Sequence, residues 1–501
     1  MKLLLIRPGF SIFERERLSI APPLGLAYIA AVMESEGHKV EILDGIAFNW
    51  KNSISTEKNG ESLKYYGPTD EGLMEVIRKS APELVGISCL ASMYAQEAHH
   101  VAHIVKLADK DIKVVFGGVH PSALPRETLK DPNVDYVVIG EGEKAATELA
   151  NRLEEGQDVS SIDGFAFKSN NGVIVNPKTK FIEDLDTIPF PARHLLPMEE
   201  YFKASKSVAS HGGPTGLRAT SMVTSRGCPG RCVFCSTHSI WGYKWRARTP
   251  HNVVDEIEFL VGKYKIQSIY FEDDNLTLDR KRVEKICDEI MNRNIKITWD
   301  CPNGVAVNTL TPDLIRKMKN AGCRGLAFGI EHGDPEMRRK VVCKPIETGH
   351  VKKIVNSCRQ VGIQTTGFFI IGLPSETEET YKQTVEFAKE TNFDVASFFI
   401  ALPLPGSNLF EYAVKKYNIT DLDDFSSSMR MYGPTIPVLT DSFSSEDLIK
   451  LQKEAYKKFF YHKIKSELKP QAIFNRIKRY KSMENLKSDV SLLKRFSQIL
   501  K

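Results

Sequence analysis

Two runs of alternating strand-type and helix-type segments limit most strongly the folds available to this 501-residue chain. In the first run, short apolar segments such as 2–7 and 84–88 alternate with helix-length segments such as 24–36 and 95–108. Strands that are separated by helices pair in parallel, because a crossover helix returns the chain to the same end of the sheet. We therefore predict a doubly wound, Rossmann-like α/β domain over residues 1–155.

The second run begins after a segment with a different pattern. Residues 156–215 contain short extended pieces and several prolines, which indicate a linker with a small hairpin. Between residues 216 and 435, six strand-type segments alternate with helices, the first strand at 219–224 and the last at 396–401. This pattern predicts a partial (β/α)6 barrel whose reactive loops follow the carboxyl ends of the strands.

The C-terminal region, residues 436–501, is predicted to be helical and basic. From residue 450 onward it has 15 Lys and Arg against 4 Asp and Glu, a net charge of +11, while the whole chain carries +5. Such amphipathic helices either pack on the core or make peripheral contact with an anionic membrane surface. No nucleic-acid recognition motif accompanies the charge, so nucleic acid is not an expected partner.

The chain has neither a signal-peptide pattern nor an apolar stretch of the roughly 18 residues that a membrane-spanning helix needs. Hydrophobic residues make up 42% and charged residues 26% of the sequence, as in ordinary globular proteins. We expect a cytoplasmic protein, with membrane association limited to the basic region.

Three of the nine cysteines lie within eight residues of one another, in the segment TSRGCPGRCVFCST at 224–237. Three thiolates on one loop can hold three irons of a [4Fe-4S] cubane, and the fourth iron would then stay open to a ligand. The candidate ligands are Cys228, Cys232 and Cys235. The alternatives are three unconnected cysteines, or a zinc site that His238 would complete.

This segment resembles the Cys-x3-Cys-x-aromatic-Cys motif of the radical S-adenosylmethionine (SAM) superfamily, with Phe234 in the aromatic position. The resemblance implies that SAM chelates the fourth iron and is cleaved to a 5′-deoxyadenosyl radical. It also implies that the backbone near Phe234 lies beside the adenine.

Three further segments at predicted strand ends are similar to SAM-contacting motifs of the same superfamily. Asp273 and Asp274 follow the second barrel strand, Glu331 follows the fourth, and Gly372 closes the fifth. By this resemblance the carboxylates face the amino group and the ribose or carboxylate of SAM, and Gly372 lies on the adenine side. The alternative for the acidic run is a helix N-cap.

The strand-end loops of the first domain are rich in glycine and serine, which lets a large flat ligand approach the backbone. They lack a Gly-x-Gly-x-x-Gly fingerprint after the first strand, and this disfavours NAD or FAD. The loops resemble the cobalamin-binding domain of class B radical SAM enzymes, although the Asp-x-His-x-x-Gly box with its cobalt-ligating histidine is missing. A domain that binds nothing is the alternative. The resemblance implies these cobalamin-binding residues: Ser88, Ser92, Gly117, Gly118, His120, Gly140 and Glu141.

Together these features indicate a cobalamin-dependent radical SAM enzyme. The expected reaction is C-methylation of an unactivated carbon in a lipid, a porphyrin or another secondary metabolite, with ring formation or oxidation as the alternative. The expected partners are this small-molecule or lipid substrate and an electron donor such as flavodoxin or ferredoxin. A methylthiotransferase would need a second cysteine triplet near the N-terminus, where the chain has Cys89 alone. A non-catalytic cobalamin or iron–sulfur carrier would not need the SAM motifs.

Overall fold

The computed structural model describes residues 1–13, 18–58, 61–205, 217–428 and 438–467. It consists of two α/β units, each built around a mainly parallel sheet, which confirms the predicted fold class. Among the described residues, no helix combines the length and the apolarity that crossing a membrane requires.

In the first unit the described residues form ten strands and seven helices. The strands are β1 (Lys2–Arg7), β2 (Phe10–Phe13), β3 (Lys39–Asp44), β4 (Ile54–Lys58), β5 (Glu61–Tyr66), β6 (Leu84–Ser88), β7 (Lys113–Gly117), β8 (Tyr136–Val138), β9 (Phe165–Ser169) and β10 (Gly172–Asn176). The helices are α1 (Leu24–Ser35), α2 (Gly45–Phe48), α3 (Asp70–Ser80), α4 (Ala95–Ala108), α5 (Val119–Ala123), α6 (Pro125–Thr128) and α7 (Gly142–Glu154).

Five strands of the first sheet are parallel, in the order β3-β1-β6-β7-β8. The hairpin that the sequence predicts in the linker is β9–β10, and it extends this sheet with two antiparallel strands beside β8. The polar stretch 49–66 contributes β4 and β5 to a small antiparallel sheet with β2. The carboxyl ends of β1, β6, β7 and β8 therefore lie at one edge, where a ligand can bind.

The second unit follows α8 (Met198–Ala204) of the linker. Its strands are β11 (Ala219–Met222), β12 (Ser225–Arg226), β13 (Arg246–Ala247), β14 (Ser268–Phe271), β15 (Thr298–Val305), β16 (Cys323–Glu331), β17 (Gln364–Ile371) and β18 (Val395–Ile400). Its helices are α9 (His238–Trp241), α10 (Pro250–Tyr264), α11 (Arg280–Asn292), α12 (Pro312–Asn320), α13 (Thr348–Val361), α14 (Glu378–Thr391), α15 (Asn408–Tyr417), α16 (Leu422–Ser428) and α17 (Ser445–Glu467).

Six of these strands form one parallel sheet in the order β11-β14-β15-β16-β17-β18, which is the partial barrel that the sequence predicts. The short pair β12–β13 is antiparallel and frames the cysteine loop. Side-chain caps start the outer helices: Thr249, Asp279 and Thr311 accept hydrogen bonds from backbone N–H groups of α10, α11 and α12.

Helix α17 covers the edge strand β18. Phe459 is fully buried in the barrel core. The Tyr456 hydroxyl accepts a hydrogen bond from the Phe398 N–H at 3.0 Å, and the Gln452 amide donates to the Phe398 carbonyl at 2.8 Å. The first part of the basic region is therefore a docked helix that satisfies an exposed sheet edge. Its remainder, residues 468–501, lies outside the described residues.

Candidate functional site

The cysteine loop leaves the barrel after β11 and is anchored at its start and its middle. Gly227, directly before the first cysteine, has a left-handed φ of 83°, and a Cβ there would lie 2.4 Å from the Lys244 carbonyl oxygen. In the middle, the Val233 N–H donates to the Val342 carbonyl at 3.2 Å, and the Val233 carbonyl accepts from the Leu409 N–H at 2.9 Å. Cys228 directly follows the first anchor, and Cys232 and Cys235 lie on either side of the second. The loop therefore holds all three cysteines in fixed positions.

The thiols of this loop are partly exposed free cysteines. Burial raises the pKa of Cys228, and it raises the pKa of Cys232 to about 11. The positive charge of Lys344 opposes both shifts. Thiolates at such positions need a cationic partner, which iron ions supply.

His238, the alternative zinc ligand, is engaged elsewhere. Its ring stacks on Tyr243 with 4.8 Å between the ring centres, and it hydrogen-bonds the backbone of Gly406. Burial lowers the pKa of His238.

The two aspartates after β14 have different surroundings. Asp273 is buried and accepts hydrogen bonds from the Thr224 N–H at 3.1 Å and from the Thr224 hydroxyl at 2.7 Å. It also accepts from the Ser225 hydroxyl. Its carboxylate therefore holds the root of the cysteine loop, a positioning role that the resemblance did not include.

Asp274 remains available at the barrel mouth. Burial, followed by the nearby charge of Asp273, raises the pKa of Asp274 to about 6. Its one hydrogen bond among the described residues is a long one, 3.5 Å, from the hydroxyl of Thr237, two residues after Cys235. Asp274 is a partly exposed carboxylate beside the cysteine loop, and it forms no ion pair within the part of the chain that the structure describes. Such a group suits the predicted contact to an ammonium group.

Glu331 forms an ion pair that sequence reasoning missed. Lys344 donates to its Oε1 at 2.9 Å, and the glutamate is buried while the lysine is partly exposed. The pKa of Lys344 is raised, because the negative charges of Glu331 and Cys232 outweigh the effect of partial burial. Glu331 itself has a left-handed φ of 71°, and a bulge in the β16–β17 register precedes it. A Cβ on Gly329 would lie 2.4 Å from Glu331 Oε1 and 2.5 Å from Lys344 Nζ. Glycine at 329 is what makes room for this pair.

Gly372 and Phe234 both lie against protein. Gly372 has a φ of 85° and its N–H donates to Glu376, while a Cβ there would lie 3.0 Å from Leu448 of α17. Its glycine is thus explained by the turn and by the packing of α17. Phe234 packs on an apolar cluster at the barrel mouth that includes Ile370 and Leu373.

The two units are joined by a buried ion-pair network at the root of the cysteine loop. Arg226 donates to Glu141 Oε1 at 2.9 Å and to Glu143 Oε1 at 2.5 Å. Arg246 donates to both oxygens of Glu141, at 2.8 and 2.9 Å. The Ile182 N–H also donates to Glu141. Both carboxylate oxygens of Glu141, which was predicted to bind cobalamin, therefore accept hydrogen bonds from protein donors.

A cavity of about 960 Å³, its open mouth included, runs along one face of the first sheet and reaches the carboxyl ends of β6 and β7. Four of the seven residues predicted for cobalamin line it: Ser88, Gly117, Gly118 and Gly140. Ile240 and Trp241 of α9, which follow the cysteine loop, complete its wall. The cavity therefore faces both the first sheet and the segment that carries the cysteines.

Two glycines leave room for a ligand in this cavity. A Cβ on Gly25 or on Gly117 would meet no atom within 4 Å, although both residues line the cavity. Gly118 is needed for a different reason, because a Cβ at this position would lie 2.5 Å from the Cys89 carbonyl oxygen. The lining is mostly apolar side chains and glycine backbone, as is typical of cofactor sites. The donor set thus fits the predicted cobalamin site.

Ser92 and His120 are not among the residues that line the cavity. The His120 ring is fully buried and its Nδ1 lies 3.0 Å from the Ser92 hydroxyl. His120 belongs instead to a group of side chains with His99 and Asp423, and Ser92 is its hydrogen-bonding neighbour.

Comparison with known proteins agrees with this two-unit arrangement. The Radical SAM superfamily model matches residues 222–388, and the B12 binding domain model matches residues 15–150. An uncharacterized methyltransferase of Pyrococcus horikoshii is 34% identical over 464 residues, which cover 92% of each chain. The chain is a cobalamin-dependent radical SAM enzyme.

Two further proteins are similar over most of this radical SAM enzyme. The cytidylyl-2-hydroxyethylphosphonate methyltransferase of Streptomyces wedmorensis is 30% identical and covers 83% of this chain and 82% of its own. The solved structure of the radical SAM methyltransferase TsrM from Kitasatospora setae, with cobalamin and a [4Fe-4S] cluster bound, superposes with a TM-score of 0.65. It is 20% identical and covers 83% of this chain and 75% of its own, a likeness of fold. The cofactors of this radical SAM enzyme are a [4Fe-4S] cluster, SAM and cobalamin.

Proposed function

We propose that this enzyme transfers a methyl group to an unactivated carbon of a small molecule held between the first-domain cavity and the barrel mouth. One observation carries the proposal: Ile240 and Trp241, just after the cysteine loop, share the cavity wall with Gly117 and Gly118 of the first domain. Chemistry that needs two cofactors on one substrate requires such a shared space.

When bound, the cluster with SAM supplies a hydrogen-abstracting radical and cobalamin supplies a methyl group. The chain's own residues hold and orient these groups. Cys228, Cys232 and Cys235 are the proposed iron ligands, and Asp274 is the proposed acceptor for the SAM ammonium. Asp273 fixes the root of the loop through Thr224.

The partners remain as the sequence predicts them. One-electron reduction of an iron–sulfur cluster requires a low-potential carrier, and flavodoxin or ferredoxin fits that need. The proposed substrate is a lipid, a porphyrin or another small molecule, as the sequence predicts. Peripheral membrane contact stays a prediction for residues 468–501, while α17 is docked on the barrel.

The test uses full-length protein reconstituted anaerobically with iron, sulfide and cobalamin, and supplied with a reductant and SAM that carries a deuterated methyl group. Small-molecule and lipid extracts of a strain that lacks the gene serve as the substrate source. We expect 5′-deoxyadenosine together with a deuterium-labelled product that the parent strain contains unlabelled. The matched control is Cys235→Ala, which should form neither.

Formation of 5′-deoxyadenosine with an unlabelled new product would mean that the enzyme catalyses ring formation or oxidation and not methyl transfer. Absence of 5′-deoxyadenosine from reduced, cluster-loaded protein would overturn the radical reaction itself.

A further inference from the structure

Three ligand-type side chains meet between the first domain and the segment after the barrel. His99 lies on α4, His120 on α5 and Asp423 on α16. One ligand atom of each lies within 4.8 Å of the other two. The cluster is separate from the cysteine loop and from the lining of the cavity.

The atoms that converge in this cluster are buried, and none has a hydrogen-bond partner among the described residues. They are Nε2 of His99, Nε2 of His120 and Oδ1 of Asp423. His120 Nε2 lies 3.1 Å from Asp423 Oδ1, but the contact lacks hydrogen-bond geometry. Buried polar atoms are nearly always satisfied. Three such atoms at one point indicate a cation that takes a lone pair from each.

The outer nitrogen of each imidazole is fixed by a polar neighbour. His99 Nδ1 lies 2.6 Å from Asp131 Oδ2, and His120 Nδ1 lies 3.0 Å from the Ser92 hydroxyl. The His99 ring also packs on Phe116, with 5.0 Å between the ring centres. Metal-ligating histidines almost always have such an outer partner, which orients the ring and directs the Nε2 lone pair inward.

We propose that His99, His120 and Asp423 bind one divalent first-row transition-metal ion through two imidazole nitrogens and one carboxylate oxygen. An ion with bonds of about 2.0–2.2 Å in tetrahedral geometry holds its ligand atoms about 3.4 Å apart, close to the observed His120–Asp423 spacing. Zn²⁺ and Fe²⁺ both take this ligand set with an open position. The Asp423 side chain is 34% exposed, which gives the ion a path to the site.

The site would tie α16, which follows the barrel, to the first domain. His120 lies two residues after Gly118, so the ion would also brace the loop that lines the cavity. Its existence does not depend on the reaction proposed above, because metal binding is measured without turnover.

The test titrates Zn²⁺, and in a second arm isotopically labelled Fe²⁺, into full-length, cluster-loaded protein that has been freed of loose metal by a chelator. Loading the cluster first keeps the added ion from Cys228, Cys232 and Cys235. We expect one added ion per chain by elemental analysis and a higher Tm with the ion than without it. One added ion per chain in either arm supports the site, and Zn²⁺ should bind more tightly than Fe²⁺ to such a ligand set.

Three variants and one control locate the site. Asp423→Asn keeps the shape of a half-exposed side chain and should lose the added ion and the Tm increase, as should His99→Gln. Asp131→Asn, which removes an outer partner, should weaken binding about 10- to 100-fold. His103→Gln, on the exposed face of the same helix, should bind as the unaltered protein does.

Equal metal content and equal Tm increase in Asp423→Asn and the unaltered protein would overturn the site. A protein that binds neither ion would also overturn the site. The contact between His120 and Asp423 would then be an ion pair without metal.

Discussion

Arg226 Nη1 lies 2.9 Å from Glu141 Oε1, and both side chains are almost completely buried. Arg226 belongs to β12, two residues before the first cysteine of the loop, while Glu141 follows β8 of the first domain. The pair therefore fixes the cysteine loop relative to the loops that line the cavity. Two cofactors that act on one substrate need this fixed relation.

Breaking this pair should destabilise the enzyme strongly. Arg226→Gln leaves the carboxylate of Glu141 with fewer charged donors in a buried place, and removing one partner of a buried pair costs about 3–5 kcal/mol. Denaturant unfolding followed by circular dichroism measures the loss. The matched control is Lys244→Gln, whose ion pair with Glu183 is 70% and 64% exposed and should contribute less than about 1 kcal/mol.

The double variant Arg226→Gln with Glu143→Gln should recover part of that loss, because Glu143 is the carboxylate that loses its arginine, whereas Glu141 keeps its ion pair with Arg246. Equal midpoints for Arg226→Gln and Lys244→Gln would show that the pair does not hold the two units together.

Asp274→Asn should stabilise the protein without ligand near neutral pH. Burial raises the pKa of Asp274 from 3.8 to about 6, so ionisation costs stability in the folded state. The cost is at most about 3 kcal/mol, is complete above pH 6, and disappears below pH 4 as both states become protonated. The measurement is denaturant unfolding of both proteins at pH 8 and pH 4.

The gain should therefore be present at pH 8 and absent at pH 4, and the same variant should bind SAM more weakly. Glu379→Gln, at an exposed position in α14, is the control, with an expected change within about 0.5 kcal/mol at either pH. A gain in the free energy of unfolding that is independent of pH would mean that the folded state does not raise the pKa of Asp274.

Features that are local in sequence were predictable, and features that depend on distant partners were not. The cysteine triplet lies within eight residues, and the α/β class follows from the order of the segments alone. The partners of Glu141 lie 85 and 105 residues away, so its ion pairs could not be seen in its own loop. A glycine- and glutamate-rich loop at a strand end suits a ligand and an interface equally well.

Glycines show the same limit. Gly117, Gly329 and Gly372 all close strands or lie near strand ends. One of them faces the cavity, one makes room for the ion pair of Glu331 with Lys344, and one packs on α17. The reason for each glycine is the neighbour that a Cβ would meet, which depends on the tertiary structure. Lys344 was missed for a related reason, because it belongs to no motif.

Gly329→Ala should disturb the cluster site from a distance. The new Cβ would require Glu331 Oε1 or Lys344 Nζ to move, since both lie within 2.5 Å of its position. Lys344 lowers the pKa of the cluster-free Cys232 thiol, and Glu331 raises it by less. We therefore expect slower alkylation of this thiol near neutral pH when the pair is displaced. Peptide mass spectrometry after timed alkylation measures the rate, and Gly349→Ala, where a Cβ would meet only Glu347 at 3.5 Å, is the control.

The docking of α17 predicts unequal effects at two neighbouring aromatic residues. Phe459→Ala should cost about 3–5 kcal/mol, because the ring is fully buried in the barrel core. Tyr461 is 61% exposed, and Tyr461→Ala should change stability by no more than about 0.5 kcal/mol. Denaturant midpoints decide between docking and a free helix. Similar small effects for both variants would mean that this part of the basic region is not held on the barrel.

Side chains placed at the open glycines of the cavity should exclude cobalamin and spare the fold. Gly117→Leu and Gly25→Leu each extend into space that has no protein atom within 4 Å of the Cβ. A bulky side chain there should therefore cost little stability and should weaken cobalamin binding at least tenfold, which corresponds to about 1.4 kcal/mol. Absorbance titration of the cobalamin-free protein measures the Kd. Gly262→Leu is the control, because its Cβ is equally unobstructed but lies on α10, outside the cavity. If all three variants bound cobalamin equally, the cofactor would have to lie elsewhere on the first domain, and Ile240 and Trp241 would no longer link it to the cysteine loop.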